Sequence, residues 1–169
     1  ELLKIEASLV SSLEEIPFLP ISFFKSHRLN VKSDHQIVFK SSGTTGKMRS
    51  NHFVADTSIY EESFRSGFKR AYGNPTEFTL LALLPSYLEQ GESSLVYMAD
   101  SLIKESGKEK SSFYLNDFEK LNQTIIELEQ AKESYILLGV SFALLNFFEE
   151  FPQNIKCGIV METGGMKGR

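Results

Sequence analysis

Two short runs, Phe78-Thr79-Leu80-Leu81-Ala82-Leu83-Leu84 and Tyr135 to Val140, are apolar almost without interruption where a half-exposed strand would alternate. Strands of that kind are buried on both faces, an arrangement typical of parallel sheets with helices on either side. The segments around them follow suit. Asp56 can cap a helix carrying Ile59, Tyr60, Phe64, Phe68 and Tyr72 on one side, and Gly73-Asn74-Pro75 ends it. Leu95, Met98, Ala99 and Leu102 mark a second helix, and Ser112 to Leu115 a brief strand. Asn116 is placed to cap a third helix with Phe118, Leu121, Ile125 and Leu128 in register. Ser141 is placed to cap a fourth, rich in Phe142, Leu145, Phe147 and Phe148, before a last strand, Cys157 to Met161. Ahead of all these, Gln36-Ile37-Val38-Phe39 and Asn51-His52-Phe53-Val54 read as the arms of a hairpin. The order predicts an α/β fold: a mainly parallel sheet with helices on both faces, plus an antiparallel hairpin.

A chain of 169 residues is one domain's worth, and 41% hydrophobic residues, among them 14 Phe, suffice for its core. Residues 1–35 are expected to form an N-terminal helix, from Leu2, Leu3, Ile5, Leu9 and Leu13, followed by an extended Pro-containing segment. In that segment Pro17 and Pro20 favour extension, and Phe23-Phe24 is expected to pack on the body of the domain. Residues 36–169 form the α/β part. The chain opens at Glu1 without an initiator Met and closes at Arg169 directly after a glycine-rich stretch, so it is expected to belong to a longer chain, truncated at its C-terminal end. A net charge of -4 and the lack of a long basic run argue against bulk attraction to nucleic acid. The single cysteine, Cys157, rules out an intramolecular disulfide framework and fits a reducing compartment. No apolar run reaches the roughly 18 residues that a membrane span needs. A cytoplasmic protein is expected.

The hairpin is joined by Lys40-Ser41-Ser42-Gly43-Thr44-Thr45-Gly46-Lys47-Met48-Arg49-Ser50. Glycines let backbone N–H groups turn towards one point, hydroxyls add donors, and Lys47 and Arg49 add positive charge. That inventory suits a polyphosphate. It is not a Walker A loop, which needs four residues before its Gly-Lys and a helix afterwards; here there are two residues and then a strand. A polar loop that simply reverses the chain is the alternative. Three strand ends carry unusual residues: Pro85-Ser86-Tyr87-Leu88-Glu89-Gln90-Gly91-Glu92-Ser93-Ser94, Gly139-Val140-Ser141, and Glu162-Thr163-Gly164-Gly165-Met166-Lys167-Gly168. In open parallel sheets ligands bind outside the carboxyl ends of the strands. The three histidines, His27, His35 and His52, share no metal-ligand spacing.

The string Ser41 to Gly46 resembles the ATP-phosphate loop of the acyl-adenylate-forming superfamily, S-S-G-[ST]-T-G-x-P-K, departing at Met48 and Arg49. Met161 to Arg169, Leu83 to Glu89 and Ser93 to Met98 look most like the LuxE-type acyl-protein synthetases of bacterial fatty-acid reductases. Phenylacetate–CoA ligase is a more distant relative. The resemblance implies ATP-dependent activation of a fatty acid as acyl-AMP, usually with Mg²⁺, then transfer to a protein thiol and on to an acyl reductase partner. It further implies that Ser41, Ser42, Gly43, Thr44, Thr45, Gly46 and Lys47 hold the β- and γ-phosphates, with Thr44 and Lys47 serving catalysis. Gly164 and Gly165 would flank adenine, Glu162 and Thr163 would edge the nucleotide or acyl site, and Ser86 and Tyr87 would line the acyl channel. The family's later motifs are not found before Arg169, and its acyl-accepting cysteine lies further on, so Cys157 is read as a core residue. This piece alone is expected to be inactive. The loop leaves the acceptor open: an acyl- or aryl-CoA ligase, or a non-catalytic nucleotide- or acyl-binding subunit, would carry the same string.

Overall fold

The computed structural model describes residues 7–41, 49–84 and 92–164. After 3₁₀ turns at Ala7–Leu9 and Leu13–Glu15 come α1 (Phe23–Ser26), β1 (Ile37–Lys40), β2 (Asn51–Val54) and α2 (Thr57–Tyr72). Helix and strand then alternate: β3 (Thr79–Leu83), α3 (Ser94–Ser106), β4 (Ser112–Phe113), α4 (Phe118–Ala131), β5 (Tyr135–Val140), α5 (Ser141–Glu150) and β6 (Gly158–Thr163). β1 and β2 pair antiparallel, and the remaining four strands form one parallel sheet in the order β4-β3-β5-β6. The expected α/β class is the observed one.

The order has a physical cause. From β3 the chain crosses one way to β4, then returns past β3 to β5 and continues to β6. With one crossover hand, helices on those opposite journeys must lie on opposite faces. Side-chain alternation bears this out. Leu80 and Ile136 pack with Phe64 and Phe68 of α2 and Leu102 of α3. Their neighbours Leu81, Tyr135 and Leu137 pack with Leu121, Ile125 and Leu128 of α4 and with Leu144 and Phe147 of α5. Every residue of β3 and β5 is buried, as the uninterrupted apolar runs require. Among the described residues no helix is long and apolar enough to cross a membrane.

Several expectations are corrected. Of the expected first helix, Leu2, Leu3 and Ile5 lie outside the described residues; over residues 7–15 the chain makes two 3₁₀ turns in place of an α-helix, and Leu9 and Leu13 face solvent. The spacing is helical, but among the described residues nothing covers Leu9 or Leu13, and a short helix without packing is marginal. Phe18 is 98% exposed, with Ile16, Leu19 and Ile21 also exposed; of that segment's aromatics, Phe24 is held, stacked on His52 at 4.6 Å. On α2, Ile59 is exposed while Phe64 and Phe68 are buried. The cap of α4 is Asp117, accepting from the Lys120 N–H at 3.1 Å, one residue beyond Asn116. Ser141 begins α5 inside the helix and caps nothing; Val140 holds the cap position. β4 stops at Phe113, two residues early, and Leu115 has φ +50, a left-handed geometry no strand continues. β6 starts at Gly158 and, as the edge strand, leaves Ile159 and Val160 exposed.

Candidate functional site

The register of the hairpin pairs Lys40 with Asn51, and one step further Ser41 and Ser50 close its open end. The Ser41 N–H donates to the Ser50 carbonyl at 3.0 Å, and the Ser50 N–H donates to Ser41 Oγ at 3.0 Å. Ser41 is therefore the clasp of the loop, with its N–H already engaged. Ser42, Gly43, Thr44, Thr45, Gly46 and Lys47 lie outside the described residues, as do Ser86, Tyr87 and Gly165.

What fixes this hairpin is aromatic. Phe39 is buried edge-on against Tyr60 of α2 and Tyr97 of α3, with ring centroids 5.4 and 5.6 Å away. The Tyr60 hydroxyl donates to the Ser94 carbonyl at 3.0 Å, tying α2 to the first turn of α3. The Tyr97 hydroxyl donates to Glu61 at 2.5 Å, and Arg65 bridges Glu61, Glu105 and Ser101. Hydrogen bonds from Tyr97 and then from Arg65 hold the half-buried Glu61 carboxyl below its ordinary range.

One contact joins two of the stretches singled out above. Lys40 Nζ lies 2.7 Å from Glu92 Oε1, and the Lys40 N–H donates to the Glu92 carbonyl at 2.8 Å. Glu92 ends the connection that leaves β3, next to Ser93, which caps α3 by accepting from the Val96 N–H. The flank of segment 42–48 thus sits beside the flank of segment 85–91, at the carboxyl end of the central strand. A shallow hollow of about 200 Å³ lies in the same place, lined by Ile37, Phe39, Ser93, Tyr97 and Phe113 among others.

The third stretch leaves the same end of the sheet. Thr163 pairs in register with Val140, and Gly164 follows with φ +84, a conformation that glycine adopts without strain. Ser141 Oγ donates to the Gly164 carbonyl at 2.7 Å, so the start of α5 holds the end of β6. Thr163 is half-buried and Glu162 exposed. At the end of β5, Gly139 is required: a Cβ there would come within 2.7 Å of the Leu144 side chain. β6 is two strands from β3, about 10 Å at the usual strand spacing. Glu92 and Ser141 both fall in strand-end stretches that the sequence marks out, but their contacts with Lys40 and Gly164 are not legible there.

Cys157 belongs elsewhere. It precedes β6 at the amino end, seven residues or about 23 Å of extended chain from Gly164. Glu129 of α4 accepts there from the Lys156 and Cys157 N–H groups, both at 3.0 Å, and from the Tyr135 hydroxyl at 2.8 Å. Burial opposes ionisation of Glu129, but these donors outweigh it and hold the carboxyl below its ordinary value. Burial, and then the Glu129 carboxylate, push the Cys157 thiol up, which disfavours the reactive thiolate. The Tyr135 ring fills the space a Cβ at Gly158 would need. Among the described residues no group of three or more His, Cys, Asp or Glu could hold a metal ion. His52 is stacked on Phe24, and His35 lies edge-on to Phe53.

The site is thus bounded by the clasp Ser41–Ser50, the Lys40–Glu92 junction and the Ser141–Gly164 tie, all belonging to segments that enter or leave the carboxyl side of the sheet. Comparison of the chain with family models, curated proteins and solved structures gives no match.

Proposed function

We propose that this chain carries the nucleotide-binding part of an enzyme that activates a fatty acid with ATP and passes the acyl group to a protein thiol. The observation that supports it most directly is the Lys40–Glu92 junction. It sets the frame of the hydroxyl- and glycine-rich segment beside the exit of the central strand, the side on which open parallel sheets bind ligands. The clasp fits a phosphate-holding role for what it encloses, since it anchors both ends of a segment rich in hydroxyls with Lys47 inside it and Arg49 at its exit. In the reaction the fatty-acid carboxylate attacks the α-phosphate of ATP and pyrophosphate leaves. Both reactants are anions, so Thr44, Thr45, Lys47 and neighbouring N–H groups neutralise charge and keep the attack in line. Mg²⁺, when bound, would ride mainly on the phosphates, as that ion usually does. Gly164 and Gly165 lie against adenine, Glu162 and Thr163 edge the pocket, and Ser86 and Tyr87 flank the carboxylate. The final thiol, an acyl reductase partner and a cytoplasmic location belong to the same reading.

The decisive measurement is ATP–pyrophosphate exchange driven by fatty acids, on the longest natural form of the chain. Thr44→Ala combined with Lys47→Ala is expected to lower exchange at least about 100-fold, the scale of losing a single well-aimed donor. Unchanged exchange in that variant removes the loop from the chemistry. Hydroxamate trapping with and without CoA then separates a protein-thiol acceptor from CoA.

A further inference from the structure

Two apolar features of the molecule lack a partner, and they match each other. The first is the arm from Leu13 to Ile21. Leu13 is 81% exposed, Phe18 98% and Ile21 78%, with Ile16 and Leu19 about half exposed. Single apolar residues on a surface are ordinary, but a contiguous run of this size marks an interaction site. Pro17 and Pro20 fix the backbone on either side of Phe18, and Ile16 before them is extended, with φ -76 and ψ 116. The arm is thus presented stiff, so it has little freedom left to lose on docking.

The second feature is a cavity of about 280 Å³ between α2, α3 and the sheet. Phe64, Phe68 and Tyr72 of α2 line it with the thioethers of Met98 and Met161, and none of the described lining residues is charged. Protein interiors keep few voids larger than a water molecule, and a carbon-lined hole of roughly 150 Å³ already takes up benzene. Aromatic walls and sulfur favour a ring as the guest. The cavity opens beside Gly67, exposed in the interior of α2, where an added Cβ would meet nothing within 4 Å. Glycine is a poor helix residue, and here its missing side chain leaves an entrance.

Charge pairs the same two places. Glu14 and Glu15 stand at the head of the arm, and Lys69 and Arg70 follow Gly67 on α2. All four are exposed, and none enters an ion pair among the described residues. In its own chain the arm does not occupy the cavity. Phe18 touches almost nothing, and the residues after it are held at the hairpin, where Phe24 stacks on His52.

We propose that two copies of this chain pair by exchanging arms: Phe18 of each enters the other's cavity beside Gly67, and Glu14 and Glu15 face Lys69 and Arg70. The exchange is reciprocal, so a two-fold axis closes it and no filament grows. Covering the apolar side chains of the arm removes roughly 600 Å² per copy, so the two arms alone bring about 1,200 Å², the area at which stable interfaces begin. This pairing does not depend on the activity proposed above.

Sedimentation velocity of the full chain over a concentration series tests it, with a dimer expected whose share rises with concentration. Phe18→Ala should raise the dimer Kd at least about 100-fold, because two buried aromatic anchors go at once. The fold of each copy is unaffected, since the ring is exposed there. Gly67→Leu blocks the entrance and should weaken the dimer similarly; leucine is the better helix former, so the melting temperature of the monomer should be equal or higher. The two variants mixed give the sharpest reading. A Phe18→Ala copy keeps its cavity and a Gly67→Leu copy keeps its arm, so one of the two contacts survives between them. Their heterodimer should be at least about tenfold tighter than either variant with itself. A parent monomeric at every concentration, a dimer indifferent to both substitutions, or a mixture no tighter than its components overturns the exchange. A monomeric parent in which Gly67→Leu speeds proteolysis of the arm also overturns it, and assigns the cavity to the chain's own Phe18.

Discussion

The two faces of the parallel sheet are built from the same strands yet packed to different standards. Under α4 and α5, Leu121, Ile125 and Phe147 are 0% exposed, and the Phe147 ring is surrounded by Phe118, Phe148 and Phe151 at 5.3 to 5.9 Å. Under α2 and α3, Phe64 keeps 9% exposure and Phe68 7%, and a cavity of about 280 Å³ lies between these helices and Leu80, Ala82, Ile136 and Leu138 of the sheet. A chain that packs one face to this density has no general difficulty filling space. The looseness of the other is local, confined to where α2 presents Gly67 and α3 presents Ala99, both without bulk.

Truncations on the two faces therefore differ in cost, and thermal or denaturant unfolding reads the difference. Phe147→Ala should destabilise most, by about 3–5 kcal/mol, because close-packed neighbours cannot collapse into the hole. Leu102→Ala, over the cavity, should lie near the bottom of the range for such changes, about 2 kcal/mol, since its surroundings are already incompletely filled. Equal losses at the two positions would erase the comparison. At the amino end of the tight face, Gly158→Ala drives a methyl into the Tyr135 ring and should cost about 1–3 kcal/mol.

Acid sharpens the same point. Glu129 has its folded-state pKa below the ordinary 4.5, so its ionised form adds stability above that pH and loses it as pH falls through the folded value. Glu129→Gln should therefore be less stable than the parent at neutral pH, with the gap narrowing below pH 4.5. A gap independent of pH would mean that the carboxylate contributes shape alone. The smallest effect belongs to the half-exposed Lys40–Glu92 pair: Glu92→Gln should shift stability by no more than about 1 kcal/mol while lowering nucleotide-dependent activity.

The tight face was largely readable in the sequence, the rim only in pieces. Unbroken apolar runs announce β3 and β5 because burial on both sides leaves no room for a polar alternation, and the periodic Leu121, Ile125 and Leu128 stripe announces α4. Asn116 and Asp117 are both good caps, so composition could not separate them, and the backbone chose Asp117. The N-terminal stripe misled because spacing shows which side chains would share a face without showing whether a partner surface exists. At the rim, the hydroxyl- and glycine-rich stretches stood out by their chemistry. What brings their flanks together did not: Lys40 and Glu92 are 52 residues apart, and an ordinary lysine and glutamate carry no local sign of meeting.

The strand order also sets a timetable for birth on the ribosome. β3 contacts β4 through only two residue pairs, so its real neighbour is β5, completed 57 residues after Leu83. At ordinary elongation speeds that is a wait of roughly 3 to 11 s, during which a largely apolar segment has no sheet to join. Helices α2 and α3, available in the interval, are the natural wardens of Thr79–Leu83 until Tyr135–Val140 emerges.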